Sequence, residues 1–462
     1  MMTKIDRHFI RVEGRLVHYR RAGRGPVLVA LHQSPRDSAD VLPVVHAMAP
    51  YATVIAPDNP GFGLSDPLPD GPASIDRFAH ALAALLRALG VEKAAFYGFH
   101  TGACIANRFA ALFPDLVTGL VVDGFLLMED AERDELLAHY LPPFHPQWDG
   151  GHLAWAWHRI RDQGIFFPWY RREPSARLNR PRPDLARTHE QIMEFMRAGD
   201  HYRAGYGAAL SYRPAGDMAS LSVPALLFIA QDDPLVRYLS KLPALPQGVT
   251  AGTAPDRAAA YGVITDFLCR HLPDIAAPPP PAFAERGVTE GLAWRAGGQG
   301  NPVLRLHDLG GAAALLPPPG PGSWLAPDLP GMGESDLVAD PGDLQAVADA
   351  VAGLLSTRGW TGGAAEGWGY GGRVAQVLAK RHPGLVSGVT LHPGHTTAPP
   401  DLCPVDGGGH LLAAWQQARD AHLFALGDGL LPDPARLQAE AWCWLKAAPI
   451  LERAWRAMAM AG

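Results

Sequence analysis

An internal repeat constrains the fold of this chain more than any other feature of its sequence. Residues 56–66 are APDNPGFGLSD and residues 326–336 are APDLPGMGESD, which agree at eight of eleven positions. Collinear matches continue on both sides, and residues 9–32, for example, resemble residues 288–307. Several collinear matches in one chain indicate two related copies of the same domain.

The repeat and the composition together predict the domain boundaries. Residues 275–285 are IAAPPPPAFAE, and their four consecutive prolines favour an extended linker. We therefore predict a first domain over residues 1–274, this linker, and a second domain over residues 286–462. The second copy ends where the first has reached only about Ala208, so it is predicted to lack its last quarter.

Composition excludes several classes of protein. Hydrophobic residues make up 48% of the chain and charged residues 19%, which is typical of globular domains rather than disordered ones. A net charge of −6 argues against a nucleic-acid partner. The four cysteines have no CxxC spacing, so neither a disulfide framework nor a metal site is predicted. Without a long apolar segment we expect no membrane partner and a cytoplasmic location.

Short apolar runs alternate with helical patterns in the first copy. Residues 26–32 (PVLVALH) and 224–230 (PALLFIA) suit strands that are buried on both faces of a parallel sheet. Residues 74–90 begin with a serine N-cap and end with a glycine, which predicts a helix. The alternation predicts an α/β fold with a doubly wound sheet.

Three motifs of the first copy resemble those of the α/β-hydrolase superfamily. These motifs are HQSP at residues 32–35, DNPGFGLSD at residues 58–66 and GFHTG at residues 98–102. The last one stands where the family has its G-x-S-x-G nucleophile elbow. The resemblance implies an α/β-hydrolase fold with a helical cap at about residues 126–220, followed by a truncated second copy of that fold.

The resemblance also implies a nucleophile, a base and an orienting acid, and the chain departs from this set. His100 occupies the elbow position in place of serine, cysteine or aspartate. Asp233 stands where the acid is expected, and Asp123 offers a site that some relatives use instead. No histidine occupies the expected base position after the eighth strand. Gly369 takes the elbow position of the second copy, which is therefore expected to be a structural or regulatory pseudo-domain.

His100 has two chemical roles that the residues leave open. The N-terminus of the helix behind the elbow disfavours the imidazolium, so a neutral imidazole would be available as a base. In one role His100 activates water or abstracts a substrate proton. In the other role it serves as the base for Ser34. Backbone N–H groups of Gln33 and Thr101 would form the oxyanion hole in either case.

A further set of residues is predicted to contact the substrate. It consists of His32, His152, Trp157 and Arg161. The three cap residues of this set recur in the second copy at a constant offset of 258 residues, which favours packing over binding. Arg161 could still contact a substrate carboxylate.

These features predict a hydrolase-like enzyme that hydrolyses or rearranges a small carbonyl compound, such as an ester, lactone, thioester or β-diketone. The alternative is a non-catalytic protein that binds a small apolar ligand, and a third is a role in assembly. The second copy would leave its sixth strand at a sheet edge, which predicts a homodimer or an interdomain contact there. No cofactor is predicted.

Overall fold

A computed structural model describes residues 3–395, 397–426 and 431–460, so the predicted domain ends at Met1 and Gly462 lie outside the described residues. The chain forms two compact units. One comprises Met1–Phe144, Arg159–Pro183 and Glu190–Ala282, and the other comprises His145–His158, Asp184–His189 and Phe283–Gly462. Two pieces of the predicted cap region therefore belong to the second unit.

The first unit is built on an eight-stranded sheet of order β1-β2-β4-β3-β5-β6-β7-β8. Its strands are β1 (Ile5–Val12), β2 (Arg15–Ala22), β3 (Val27–Leu31), β4 (Thr53–Pro57), β5 (Ala94–Phe99), β6 (Val117–Asp123), β7 (Ala225–Phe228) and β8 (Val249–Gly252). β2 pairs antiparallel with β1 and β4, and the other neighbours pair in parallel. The predicted α/β fold is confirmed.

Nine α-helices connect or follow these strands within the described residues. They are α1 (Leu42–Met48), α2 (Ile75–Ala88), α3 (Thr101–Leu112), α4 (Asp130–His139), α5 (Gly151–Gln163), α6 (Leu185–Ala198), α7 (Tyr202–Ser211), α8 (Ala215–Ala219) and α9 (Arg257–Arg270). The insertion between β6 and β7 holds α4 to α8, where the sequence predicts a helical cap. None of the helices in the described part of the chain combines the length and hydropathy needed to cross a bilayer.

The apolar strands are buried because helices cover them. All five residues of β3 are buried, as expected for a strand inside a doubly wound sheet. On one face, Ala30, Tyr97 and Val121 form a core cluster with Ile264 and Leu268 of α9. This cluster fixes α9 against the sheet and so determines where its first residue, Arg257, can reach.

The second unit contains a six-stranded sheet of order β14-β13-β11-β12-β10-β9. Its strands are β9 (Arg286–Thr289), β10 (Leu292–Gly297), β11 (Pro302–Leu306), β12 (Ser323–Pro327), β13 (Gly363–Trp368) and β14 (Val386–His392). Its further helices are α10 (Leu344–Thr357), α11 (Gly369–Arg381), α12 (Gly409–Asp420), α13 (Pro434–Ala447) and α14 (Leu451–Met460). The strand order matches that of β6-β5-β3-β4-β2-β1 in the first sheet.

A buried aspartate holds the turn after β4. Asp58 Oδ2 lies 2.7 Å from His18 Nδ1 and accepts a hydrogen bond from Leu64 N at 2.8 Å, while Oδ1 accepts one from Ser38 N at 2.8 Å. A Cβ atom on Gly63, whose φ is +54°, would lie 2.0 Å from Asp58 Oδ2, so this position requires glycine. Burial raises the pKa of Asp58, but the His18 ring beside it outweighs burial and holds that pKa far below its usual range.

We expect the change Asp58→Ala to lower the free energy of unfolding by about 3–5 kcal/mol, because it leaves the His18 ring and two backbone N–H groups buried without their partner. Urea unfolding of the full chain measures this loss. Asp76→Ala is the matched control, since the side chain of Asp76 is 53% exposed and its ion pair with Arg108 should contribute below about 1 kcal/mol. Equal losses in the two variants would contradict the prediction.

Candidate active site

His100 lies on a sharp turn between β5 and α3. Its φ is +48° and its ψ is −106°, a conformation that residues other than glycine rarely adopt. Two backbone hydrogen bonds hold the turn: His100 N donates to Asp123 O at 2.8 Å, and Cys104 N donates to His100 O at 3.0 Å. The turn therefore presents the imidazole at the carboxyl end of the parallel strands.

The imidazole of His100 is paired with Asp233. Nε2 of His100 lies 2.9 Å from Oδ2 of Asp233, and Oδ1 of Asp233 accepts a hydrogen bond from Leu235 N at 2.9 Å. The His100 side chain is 25% exposed, whereas that of Asp233 is 6% exposed. When Nε2–H donates to the carboxylate, Nδ1 carries the lone pair. The histidine can therefore act as a base that its buried partner orients.

Arg257 is a member of this site that the sequence analysis missed. Its Nη1 donates to Asp123 Oδ2, its Nη2 lies 3.5 Å from Asp233 Oδ2, and its Cζ lies 4.5 Å from the centroid of the Phe99 ring. Its place in the sequence could have identified Arg257 as a candidate. It begins α9, directly after the region where the family would place its catalytic histidine. The guanidinium links the two candidate acids.

The two aspartates differ in their electrostatic surroundings. Asp123 is fully buried, and burial raises its pKa although Arg257 and the hydroxyl of Tyr97 (2.9 Å from Oδ2) both bind the carboxylate. Burial also raises the pKa of Asp233, but the adjacent His100 ring, Leu235 N–H and Arg257 outweigh burial and lower it to about 2. Asp233 is thus the carboxylate that stays ionised beside the imidazole.

The loop after β3 approaches the elbow through Ser34. Ser34 N donates to Thr101 Oγ1 at 3.3 Å, so the loop and the first residue of α3 are in contact. Ser34 Oγ is buried and has no hydrogen-bond partner in the described residues, His100 included. The side chain of Gln33 extends the other way, with Nε2 donating to Asp40 Oδ1 at 3.3 Å.

His32 has both ring nitrogens bonded to the backbone. Nδ1 lies 2.8 Å from Gln33 O, and Asn59 N donates to Nε2 at 2.8 Å. His307 of the second unit repeats the arrangement, with Nδ1 2.7 Å from Asp308 O and Nε2 accepting from Leu329 N at 2.9 Å. These contacts give His32 a role in joining two loops at the site.

His152 and Trp157 belong to the second unit. The ring of His152 lies 4.8 Å from that of Trp415, and the ring of Trp157 lies 5.2 Å from that of His410. Each histidine also accepts a backbone N–H at Nδ1, at 3.1 Å for His152 and 3.2 Å for His410. The contacts are reciprocal, and they show these two residues in a packed core.

Arg161, the remaining cap residue of the predicted set, lies in the first unit on α5 and is half-buried.

Among residues 3–395, 397–426 and 431–460, no group of three or more histidines, cysteines and acids is arranged to hold a metal ion.

Comparison with known proteins agrees with the fold of the first unit. Residues 26–251 match the sequence profile of the alpha/beta hydrolase fold family. This segment has the α/β-hydrolase fold. The match covers the elbow, the loop after β3 and the strand ends that carry Asp123 and Asp233.

Curated relatives match over shorter segments. The chain is 35% identical to an uncharacterized hydrolase of Saccharomyces cerevisiae over 130 residues, which cover 28% of this chain and 45% of that protein. It is 35% identical to a soluble epoxide hydrolase of Corynebacterium over 124 residues, which cover 26% of this chain and 42% of that protein. The chain thus spans less than half the length of these relatives. Among solved structures, epoxide hydrolase A of Mycobacterium thermoresistibile is 19% identical, with a TM-score of 0.46, and the match covers 58% of this chain and 99% of that one.

We expect Asp233→Asn to lower the free energy of unfolding by about 2 kcal/mol at pH 7, because the folded protein holds the pKa of Asp233 at about 2 against an ordinary 3.8. A depressed pKa stabilises the fold above the ordinary pKa, and this contribution is lost as the pH falls from about 4 toward 2. The difference from wild type should therefore shrink at pH 3.

Urea unfolding at pH 7, 5 and 3 tests this dependence. Asp232→Asn is the control, since the neighbouring Asp232 is exposed and should show no such difference. A deficit in Asp233→Asn that stays constant from pH 7 to pH 3 would rule out the ion pair as its cause.

Proposed function

We propose that the first unit is an enzyme in which His100 acts as a general base on a small carbonyl compound. The substrate classes that fit are an ester, a lactone, a thioester or a β-diketone. The observation that supports the proposal most directly is the pairing of a partly exposed imidazole on a strained elbow with a buried, ionised Asp233, at 2.9 Å. Strained backbone and perturbed carboxyl groups cluster at functional sites.

In the proposed reaction Nδ1 of His100 takes a proton from water or from the substrate. The imidazolium that forms is stabilised by Asp233, which accepts its Nε2–H. Proton transfer by a positioned side chain contributes roughly 10²–10⁴-fold to a rate.

The oxyanion that develops on the substrate needs donors on the other side of the site. The N–H groups of Gln33 and Thr101 are the proposed donors, and Thr101 begins α3, where helix N–H groups lack intrahelical partners. The alternative chemistry, in which Ser34 is the nucleophile and His100 its base, requires the buried Ser34 Oγ to turn toward Nδ1 during the reaction.

The competing proposal is a non-catalytic protein that binds a small apolar ligand or acts in assembly. It is supported by the absence of a histidine from residues 253–256, between β8 and α9, and by Arg257, whose ion pairs engage both candidate acids. In this case the His100–Asp233 pair would serve only to hold the elbow and its surroundings together.

For the second unit we infer a degenerate copy of the first. In the first sheet Ala30 pairs with Tyr97 beneath the apolar side of α9. In the second sheet the corresponding pair is Arg305 and Glu366, which form an ion pair, and the described residues of this unit include no counterpart of α9. Charged residues thus replace the apolar positions of the helix contact, as expected for a sheet that has lost its covering helix.

We further propose that β14 forms a homodimer contact. β6, its counterpart in the first sheet, pairs with β7 on its outer side, whereas β14 is an edge strand with a neighbour on one side. Leu391 of β14 is 50% exposed. Exposed strand edges favour pairing with another chain, and a second copy of this chain presents the same edge.

Turnover of a panel of small esters, thioesters, lactones and β-diketones tests the catalytic proposal. We expect wild type to turn over a member of the panel and His100→Ala to lose at least about 10²-fold in kcat, because the base is gone. Ser34→Ala should retain activity. His80→Ala is the matched control, since His80 is an exposed histidine on α2 and its loss should leave kcat unchanged.

The other outcomes separate the alternatives. If Ser34→Ala is as inactive as His100→Ala, the serine nucleophile replaces histidine-centred catalysis. If wild type turns over nothing while an apolar compound raises its Tm, the binding protein is the correct proposal.

Light scattering tests the homodimer. We expect wild type to show about twice the 49.5 kDa chain mass and Leu391→Lys to shift toward one chain mass, because a charge on the edge disfavours pairing. Leu337→Lys is the control, since Leu337 is 55% exposed elsewhere in the second unit. A single chain mass for wild type would refute the homodimer.

A further inference from the structure

The side chain of Asp308 is bound by four donors at the N-terminus of α11. Oδ1 accepts hydrogen bonds from Leu309 N at 2.7 Å and from Tyr370 N at 2.8 Å. Oδ2 accepts one from His395 N at 2.6 Å and lies 2.8 Å from His395 Nδ1. A carboxylate held by backbone N–H groups at a helix start is the arrangement in which proteins bind small anions.

Two glycines leave room for this carboxylate. A Cβ atom on Gly369, whose φ is +46°, would lie 2.0 Å from Oδ1 of Asp308, and its three nearest neighbours would all be atoms of Asp308. A Cβ atom on Gly394 would lie 2.5 Å from Oδ2. The side chain that an elbow normally presents and the Asp308 carboxylate therefore exclude each other.

In the first unit the position that corresponds to Asp308 is Gln33, which has no carboxylate. Asp308 follows His307 as Gln33 follows His32, and Tyr370 follows the elbow residue as Thr101 follows His100. Gln33 extends toward Asp40, away from the N-terminus of α3. The first unit thus has a side chain on the elbow and bonds the N–H of Ser34, the counterpart of Leu309, to Thr101 Oγ1. The second unit has no side chain on the elbow, and the Asp308 carboxylate accepts from Leu309 N and Tyr370 N.

We propose that Asp308 is a built-in anion that occupies the N-terminus of α11, where it binds the N–H of Tyr370 that corresponds to the proposed oxyanion donor Thr101, and so closes this copy to substrates. The proposal rests on the inference that the second unit is a degenerate copy, and it is independent of His100 catalysis. It implies that this N-terminus is still a binding site for a small carboxylate once the Asp308 side chain is removed.

Formate is the matched probe, because Asp308→Ala removes one carboxylate group and formate supplies one. We expect Asp308→Ala to have a lower Tm than wild type and sodium formate to raise that Tm by about 2–4 °C, since a ligand bound to the folded state stabilises it. Sodium chloride at equal concentration controls for ionic strength. Wild type and Asp308→Asn, in which the site stays filled, should show no specific response to formate.

A double-mutant cycle keeps the proposal testable if Asp308→Ala folds only in formate. Gly369→Ala should lower the Tm strongly in the wild-type background, because its Cβ meets the Asp308 carboxylate. Purified in formate and measured after its removal, the Asp308→Ala background should tolerate the same change with a much smaller loss. His100, with φ +48°, shows that this fold accepts a side chain at the elbow.

Two results would overturn the proposal. One is a Tm of Asp308→Ala that is equal to that of wild type or unresponsive to formate. The other is an equal cost of Gly369→Ala in both backgrounds, since the two residues would then not compete for the same space.

Discussion

Arg257 is the cation on which the arrangement of the first unit's site depends. Asp123 ends β6 and Asp233 lies in the loop after the neighbouring parallel strand β7, and both carboxylates are buried. Burial removes both carboxylates from their hydration, and the two negative charges repel each other. The positive charge of Arg257 between them offsets both costs. Because α9 is fixed by its core cluster, the guanidinium stays where it can bind both acids, and Asp233 stays oriented toward His100.

The elbows of the two units both have a positive φ but differ in whether they carry a side chain. The elbow positions share a positive φ, +48° at His100 and +46° at Gly369. In the first unit this strained turn carries a partly exposed imidazole. In the second unit the turn carries no side chain, and a neighbouring loop supplies the carboxylate instead.

The fold was predictable from the sequence because its signals are local. Apolar runs gave the strands, Ser74 caps α2 as expected with its hydroxyl accepting from Arg77 N, and the GFHTG motif located the elbow. The pairing of Arg257 with both aspartates and the contacts of Asp308 with α11 were not predictable, because both depend on residues far apart in the chain. The sequence could name His152 and Trp157, but only the packing shows which residues surround them.

The reciprocal contacts of His152 with Trp415 and of Trp157 with His410 have the form of an isologous interface, in which each partner uses the same residues. Such an interface between separate molecules is diluted away at low concentration. Here both halves belong to one polypeptide and to one compact unit, so their association does not depend on the protein concentration. Ring contacts of only modest intrinsic affinity can then persist at any protein concentration in a cell.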